Sequence, residues 1–263
     1  MTDGETPDLG FAGPASARVY DFSLGGKDNY GADRDAASAA LAAHRVAHLL
    51  PRENRKFMRR AVRFMLEAGV RQFIDLGCGL PGKGNVHEVV HGTDPAGRVV
   101  YVDIDRVAVV HYQALLHSVP TAGALHGDAR RPREIIGHPE VAALIDWDRP
   151  VGILMISMLS HVPDEDDPDG VVRAFRDAMA PGSHLAVCDF LADHLTAADW
   201  DAHRELTERV GIRLTFRSSA RLARLFEGLD LVDPGLALAP EWRPDRPYDP
   251  PSGWLMAAVG RHP

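Results

Sequence analysis

The sequence has only two cysteines, Cys78 and Cys188, among its 263 residues, so it offers no disulfide framework. It also lacks any apolar run approaching the roughly 18–20 residues that a membrane span needs. Residues 1–13 are acidic and lack the apolar centre of a signal sequence. Basic residues are not in excess: the formal net charge is −8, whereas general nucleic-acid binders show a basic surface. These absences predict a soluble, cytoplasmic protein with neither a membrane nor a nucleic-acid partner.

One basic cluster runs against this charge balance. It lies in residues 51–68, where Pro51 can open a helix and Phe57, Ala61, Phe64 and Met65 recur at helical spacing. Charged residues on such a helix most often form a solvated face. We therefore expect the basic residues of this helix to be solvated, with RNA binding as the alternative. These residues are Arg52, Arg55, Lys56, Arg59, Arg60 and Arg63.

The chain divides into three parts by composition. Residues 1–14 are polar and rich in glycine and proline, which predicts a disordered tail. Residues 15–69 are predicted to form a helical cap or lid, with a shaped loop up to Tyr30 followed by helices over 32–44 and 51–68. Residues 70–263 are predicted to form the core as one structural unit.

Within that core, strand-like and helix-like segments alternate. This rhythm predicts an α/β fold with a doubly wound, seven-stranded and mostly parallel sheet. The last two strand-like runs, 229–238 and 253–259, are predicted to pair as an antiparallel hairpin at the sheet edge. The other predicted strands are 72–76, 98–103, 122–126, 151–158 and 184–190, and the predicted helices are 85–91, 106–117, 133–145 (divided around Pro139), 167–179, 197–210 and 219–226.

A glycine-rich turn follows the first of these strands. Asp75 closes the strand, and Gly77, Gly79 and Gly82 form a GxGxxG run before the next helix. Glycine lets the backbone turn tightly and approach a ligand closely. The helix that follows directs free N–H groups and the positive end of its dipole at the same place. A strand, a glycine loop and a helix in this order predict a site for a nucleotide-type cofactor.

Two cofactors fit this pattern. Asp103 lies about 20 residues past Gly82, where a dinucleotide-binding protein places its ribose-binding acid. Asp75, however, would repel a pyrophosphate and attract the ammonium group of S-adenosylmethionine. Asp128, after the third strand, can accept a hydrogen bond from an adenine amino group, and the Ala129 backbone N–H can face a ring nitrogen. These details favour S-adenosylmethionine, with NAD as the alternative.

Three short motifs carry a family resemblance: Asp-Leu-Gly-Cys-Gly (75–79), Tyr-Val-Asp-Ile-Asp (101–105) and Gly-Asp-Ala (127–129). They resemble the first three motifs of class I S-adenosylmethionine-dependent methyltransferases, which have a Rossmann-like fold. The chain is similar in particular to the actinobacterial "S-adenosyl methyltransferase" group, formerly catalogued as a domain of unknown function. That similarity extends through residues 17–30, 72–81, 85–89, 100–103, 162–168, 180–183, 226–229 and 241–245.

The resemblance implies roles for individual residues. Asp103 would bind the ribose hydroxyls, and Asp75 would orient the methionine ammonium directly or through water. Ser157 and Met158 end the fourth strand and would lie under the sulfonium and the substrate, with plain core packing as the alternative. The full set of predicted cofactor-binding residues is Asp75, Gly77, Cys78, Gly79, Gly82, Asn85, Asp103, Ile104, Asp128, Ala129 and Ser157.

Much polar chemistry is concentrated in residues 20–30. A sheet of this type leaves its cofactor open at the carboxyl edge, so we expect this segment to act as a lid, with a structural brace as the alternative. Together with Met158, the candidates for contact with substrate or for the lid are Tyr20, Asp21, Lys27, Asn29 and Tyr30.

Two further patterns allow other chemistry. His87 and His91 match the HExxH pattern of zinc proteases, but their helix must pack on the sheet and no third ligand is evident, so no metal is predicted. The acidic run from Asp164 to Asp169 is interpreted as a solvated loop in which Asp167 caps the next helix.

The predicted activity is in-line methyl transfer from S-adenosylmethionine to a small molecule. By analogy with the resembled group, this acceptor is expected to be a secondary metabolite. His161 is the candidate general base, with Tyr20 and Tyr30 as alternatives. The resembled family has Leu-His where this chain has Leu159-Ser160, and His161 follows one position later. An NAD-dependent oxidoreductase and a non-catalytic S-adenosylmethionine-binding protein are the competing hypotheses. The sequence indicates neither the methyl acceptor nor the oligomeric state.

Overall fold

The computed structural model describes residues 13–246 and 250–263. Except for Gly13 and Pro14, the tail predicted for residues 1–14 therefore lies outside the described residues. The helices are α1 Ser16–Ser23, α2 Gly31–Ala43, α3 Leu50–Glu67, α4 Val86–His91, α5 Arg106–Leu115, α6 Pro132–Ile136, α7 Pro139–Ala142, α8 Pro168–Ala178, α9 Ala197–Val210 and α10 Ser219–Arg224. The strands are β1 Gln72–Leu76, β2 Arg98–Asp103, β3 Ala122–His126, β4 Gly152–Ile156, β5 His184–Phe190, β6 Asp230–Leu231, β7 Ala237–Leu238 and β8 Leu255–Arg261.

The strands form one sheet in the order β3-β2-β1-β4-β5-β8-β6, with β7 also paired to β8. Neighbours from β3 to β5 are parallel, whereas β8 is antiparallel to β5, β6 and β7. The strand order reverses direction between β1 and β4, which is where open α/β sheets bind their ligands. The predicted doubly wound, mostly parallel α/β fold is confirmed.

The single strand predicted over residues 229–238 is two short strands in the structure, β6 and β7. Asp230 pairs with Arg261 in β6, and Ala237 pairs with Ala257 in β7, so both short strands run along the same side of β8. The chain leaves the sheet between them. Seven strand positions therefore contain eight strand segments.

Helices cover both faces of the sheet. In β1, Phe73 belongs to the apolar cluster on one face, whereas Ile74 and Leu76 belong to the cluster on the other. Strands covered on both sides read as continuous apolar runs, which explains why β4 was recognisable from its sequence. On the first face, α3 packs against β4, β5 and β8 through side chains such as Phe57 and Met65. Among the described residues, none of the helices combines the length and the apolar composition that a membrane span requires.

The expectation of a loop over residues 15–30 is wrong for its first half, because α1 occupies Ser16–Ser23. Arg18 in this helix is 1% exposed. Its Nε donates a 2.9 Å hydrogen bond to the carboxylate of Asp33 in α2. A buried cation reads as a polar residue in the local pattern, and its partner lies 15 positions away, so the segment shows no apolar face from which to predict this helix.

The solvated interpretation of the basic cluster in α3 is wrong for two of its members. Arg60 is buried and donates hydrogen bonds of 2.8 and 2.6 Å to the carbonyl oxygens of Trp242 and Ala239. Arg55 lines the large cavity described below. Both guanidinium groups face tertiary partners that helical periodicity cannot reveal.

Candidate functional site

A cavity of about 860 Å³ lies at the carboxyl ends of the parallel strands. Its walls also include residues of α1, α2, α3 and α9. Among the predicted site residues, six lie outside its lining: Asp21, Lys27, Asn29, Tyr30, Gly82 and Asn85. Twelve line it: Tyr20, Asp75, Gly77, Cys78, Gly79, Asp103, Ile104, Asp128, Ala129, Ser157, Met158 and His161.

The glycine loop turns through left-handed backbone conformations. Gly77 has φ +69° and Gly79 has φ +64°, values that favour glycine. A Cβ on Gly77 would lie 2.6 Å from Cγ of Met158. The bare backbone of this loop therefore lets Met158 approach closely and leaves the surface beside Gly79 open to the cavity.

Cys78, between these two glycines, is buried, and its burial raises the pKa of the thiol well above its usual value. A thiol that stays protonated is a poor nucleophile. Cys78 therefore serves as a small residue in the loop wall.

Asp103 joins the glycine loop to the end of β2. Its carboxylate accepts the Gly79 N–H at 2.7 Å and the Asp105 N–H at 2.8 Å. Burial raises the pKa of Asp103, and these backbone N–H groups act against that rise. A carboxylate held in this way is an acceptor fixed in place at the cavity wall, as recognition of a ribose diol requires.

Asp75 sits at the same edge, near the end of β1. It is buried, and loss of hydration raises the pKa of its carboxyl to about 7, although the nearby Arg55 guanidinium opposes this rise. Arg55 lies 5.9 Å from the ring centre of Tyr20, whose hydroxyl donates a 3.0 Å hydrogen bond to the Pro51 carbonyl. A buried carboxyl with so high a pKa favours a cationic ligand, since a cation would stabilise its charged form.

Asp128 follows β3 and is held by an arginine. Arg130 Nη2 lies 2.7 Å from the Asp128 carboxylate, and Nη1 lies 3.0 Å from Asp166. The hydrogen bonds from Arg130 lower the pKa of Asp128. The cavity therefore has an ionised acid beyond β3. Ala129, which is also a predicted cofactor-binding residue, lies next to it in sequence.

The end of β4 is tied to α3 by Asn54, which also lines the cavity. Ser157 has φ +54°, a conformation that costs free energy in a residue other than glycine. The Asn54 amide donates to the Ser157 hydroxyl at 2.5 Å, and the Cys188 thiol donates to the Asn54 carbonyl at 2.9 Å. Sequence reasoning missed Asn54 and Arg55, because both lie within a segment interpreted as a basic face.

His161 lies in a 3-10 turn just after β4 and lines the cavity. The residue is exposed, but partial loss of hydration at the imidazole disfavours its charged form and lowers its pKa. The imidazole is therefore neutral near pH 7 and able to accept a proton.

Of the predicted residues outside the lining, Gly82 belongs to the glycine loop and Asn85 braces it. The Asn85 side-chain carbonyl accepts the Gly82 N–H at 2.9 Å and the Tyr112 hydroxyl at 3.2 Å. Asn85 is 1% exposed. It fixes the far end of the loop from behind.

The other four belong to the segment predicted as a lid. The Asp21 carboxylate accepts the Asp28 N–H at 3.0 Å and the Asn29 amide at 2.9 Å, which closes the loop between α1 and α2. Tyr30 begins α2, where Asp33 accepts its backbone N–H at 2.8 Å. Lys27 is exposed. These groups shape the segment, while Tyr20 reaches the cavity.

The HExxH pattern has structural partners. His87 Nδ1 lies 2.7 Å from the Tyr101 hydroxyl, and His91 Nε2 lies 3.0 Å from the Gly97 carbonyl. Within residues 13–246 and 250–263, no three His, Cys, Asp or Glu side chains are grouped to hold a metal ion.

The acidic run is paired rather than simply solvated. Asp164 lies 3.0 Å from Arg217, and Glu165 lies 3.0 Å from Arg213. Asp167 accepts the Gly170 N–H at 3.0 Å, which confirms it as the N-cap of α8.

Comparison with known proteins identifies close relatives. The family model described as S-adenosyl methyltransferase matches residues 3–263. A candidate methyltransferase from Thermobifida fusca YX is 40% identical, with a TM-score of 0.91 over 97% of both chains. A DUF574 family protein from Streptomyces avermitilis MA-4680 is 34% identical, with a TM-score of 0.91 over 97% of this chain and 100% of that one.

A more distant structure shares the fold alone. The S-adenosylmethionine-dependent methyltransferase from Anabaena variabilis ATCC 29413 is 16% identical, with a TM-score of 0.50 over 76% of this chain and 81% of that one. No curated protein sequence matches the chain.

Proposed function

The chain belongs to the S-adenosyl methyltransferase family and is an S-adenosylmethionine-dependent enzyme, and from that premise we propose that it methylates a small-molecule acceptor in the cavity. One observation carries the proposal. The acids that end or follow three adjacent strands, Asp75, Asp103 and Asp128, line a single cavity together with the glycine loop.

These residues match the chemistry of the cofactor group by group. Asp103 binds the ribose hydroxyls, and Gly79 lets the ligand approach the backbone closely. Asp75 faces the methionine ammonium, whose charge compensates the cost of ionising a buried carboxyl. Asp128 accepts the adenine amino group, and the Ala129 N–H faces the ring. The strand order β3-β2-β1 supports this arrangement, because the three acids lie on adjacent strands and adenine, ribose and ammonium follow one another in the same order along the cofactor.

When bound, S-adenosylmethionine supplies a methyl group on a positively charged sulfur, and the carbon–sulfur bond breaks as the acceptor's lone pair attacks in line. The chain's own residues provide alignment and a site with little water, which such a displacement chiefly needs. His161 accepts the proton of the acceptor where the nucleophile carries one. A His161→Ala variant with full activity at every pH would remove this role.

Residues 15–69 act as the cap of this site, in a protein of the cytoplasm that belongs to secondary metabolism. Ala17, Arg18 and Tyr20 of α1 line the cavity, which supports a covering role for this helix. The negative net charge of −8 supports a small molecule rather than nucleic acid as the acceptor.

The acceptor class is tested with S-adenosylmethionine carrying a ¹³C-methyl group. The protein is incubated with a pool of small molecules, with total RNA or with a peptide library, and S-adenosylhomocysteine formation is measured. We expect turnover only with the small-molecule pool, and the labelled methyl in a small product. Label found only in RNA or only in peptides would overturn the proposal.

A further inference from the structure

The cavity is divided by charge. Its charged lining residues come from α1, α3 and the ends of β1, β2 and β3: Arg18, Arg55, Asp75, Asp103, Asp105, Asp128 and Arg130. The remainder of the lining carries no Asp, Glu, Lys or Arg among the described residues, and part of it lies at the ends of β5 and β8. We call its most aromatic part the aromatic end, which is formed by His44, Phe190, His203, Leu206, Phe216 and Trp254.

The rings of the aromatic end pack on one another in a fixed arrangement. Phe190 and Phe216 are stacked, with centroids 4.9 Å apart and ring planes 6° apart. His203 lies 4.5 Å from Phe216, and His44 lies 4.6 Å from Trp254. His203 is held by its Nε2, which lies 3.0 Å from the Leu214 carbonyl oxygen. Burial lowers the pKa of His44, although the charge of Asp199 opposes this, and so keeps that ring neutral near pH 7.

The sheet order separates the aromatic end from the cofactor residues. Phe190 ends β5 and Trp254 directly precedes β8, whereas Asp75, Asp103 and Asp128 belong to the neighbouring lanes β1, β2 and β3. Ser157, at the end of β4, lies between the two groups of lanes. With the cofactor bound over β1 to β3, the aromatic end is the part of the cavity left for the acceptor.

We propose that the methyl acceptor is an uncharged, planar aromatic molecule bound in the aromatic end. This inference rests on the proposed function and adds the chemical class of the substrate. A charged acceptor would lose its hydration there against a wall that carries no Asp, Glu, Lys or Arg among the described residues. A planar aromatic ring can extend this packing through offset or edge-on contacts with the rings that line the cavity.

The test uses four probes with the same fused two-ring framework: 2-naphthol, 2-naphthoate, 2-naphthylmethylammonium and the non-planar decahydro-2-naphthol. Binding of each to the protein saturated with S-adenosylhomocysteine is measured by titration calorimetry. We expect 2-naphthol to bind at least tenfold more tightly than the two charged probes and than the decahydro compound. Equal or tighter binding of a charged or non-planar probe, or no binding of 2-naphthol, would overturn the proposal.

Two matched variants locate the site. Leu206→Trp fills the aromatic end from α9, whereas Leu115→Trp adds the same ring at the exposed end of α5, away from the cavity. We expect Leu206→Trp to weaken 2-naphthol at least tenfold and to leave the affinity for S-adenosylhomocysteine unchanged, while Leu115→Trp changes neither. Unaltered 2-naphthol binding in Leu206→Trp would contradict the assignment.

The two proposals fail in different ways. If S-adenosylhomocysteine does not bind, the proposed function is wrong, and the same probes are then titrated into the protein alone. If S-adenosylhomocysteine binds normally but the order of the probes is reversed, only the acceptor class is wrong.

Discussion

Asn54 in α3 donates a 2.5 Å hydrogen bond to the hydroxyl of Ser157 at the end of β4. The two residues are 103 positions apart. Ser157 holds a left-handed backbone conformation at the border between the acidic residues and the aromatic end of the cavity. Asn54 therefore links the helical N-terminal part of the chain to the centre of the site.

Replacing Asn54 should destabilise the protein through this link. An Asn54→Leu variant removes one hydrogen-bond partner from Ser157 and one from Cys188, and we expect the free energy of unfolding to fall by about 1–3 kcal/mol. Urea unfolding of Asn54→Leu, Ser157→Ala and the double variant measures the coupling. Strictly additive losses in the double variant would mean that the two side chains do not interact.

The affinity for S-adenosylmethionine should depend on pH through Asp75. Its pKa of about 7 means that the carboxyl is mostly protonated at pH 5.5 and half ionised at pH 7. Only the ionised form attracts the ligand's ammonium group, so we expect affinity to rise on the order of tenfold between these pH values. Titration calorimetry of the wild type and Asp75→Asn tests this. A wild-type affinity as flat with pH as that of the variant would exclude Asp75 as the ammonium partner.

The same residue should cost stability at neutral pH. The folded-state pKa of Asp75 is about 7, above an unfolded value of about 3.9. Its contribution to the free energy of unfolding is therefore full below the unfolded pKa and is lost as pH rises through 7. We expect the free energy of unfolding of Asp75→Asn, measured relative to that of the wild type, to increase by roughly 2–3 kcal/mol from pH 5 to pH 8.

Urea unfolding at the two pH values measures this gain, and Asp148→Asn, at an exposed position, is the matched control. The same difference from wild type at both pH values would show that burial of Asp75 does not raise its pKa. A variant that is more stable but binds the cofactor weakly would place Asp75 among residues kept for function at the expense of stability.

The parts of the fold that were predictable from the sequence are those with a strong local signal. β4 is a short apolar run, Asp167 with Pro168 marks the start of α8, and the glycines of the loop mark a turn. In each case the residues that determine the element are its own or its nearest neighbours in sequence.

What escaped prediction depends on distant partners. Arg18 is buried because Asp33 receives it, and Arg60 is buried because two carbonyl groups about 180 residues away accept its hydrogen bonds. Asn54 and Arg55 reach the cavity from a helix whose sequence indicates only a basic face. The histidine and aromatic residues of the aromatic end come from five separate segments, so no sequence motif contains them together.

The position of α1 over the cavity should depend on the Arg18–Asp33 pair. The buried Asp33 carboxylate also accepts the backbone N–H groups of Ala15 and Tyr30. Removing one member of a buried pair typically costs about 3–5 kcal/mol. We expect Asp33→Ala to release α1, to expose the bond after Arg18 to trypsin, and to weaken S-adenosylhomocysteine at least tenfold.

Asp35→Ala, at an exposed position of the same helix, is the control and should leave both readouts unchanged. If trypsin cleaves after Arg18 in Asp33→Ala while the affinity for S-adenosylhomocysteine stays at the wild-type value, α1 does not act as a cap for the cofactor.

The most direct measurement is a calorimetric titration of the wild type, Asp103→Asn and Asp148→Asn with S-adenosylmethionine, S-adenosylhomocysteine and NAD. Charge-assisted hydrogen bonds contribute about 1.5–3 kcal/mol, so we predict that Asp103→Asn binds the first two ligands about 10- to 100-fold more weakly than the wild type. Asp148→Asn should bind them normally, and NAD should not bind to any of the three proteins. Binding of NAD alone, or undiminished S-adenosylmethionine affinity in Asp103→Asn, would contradict the assignment of this cavity.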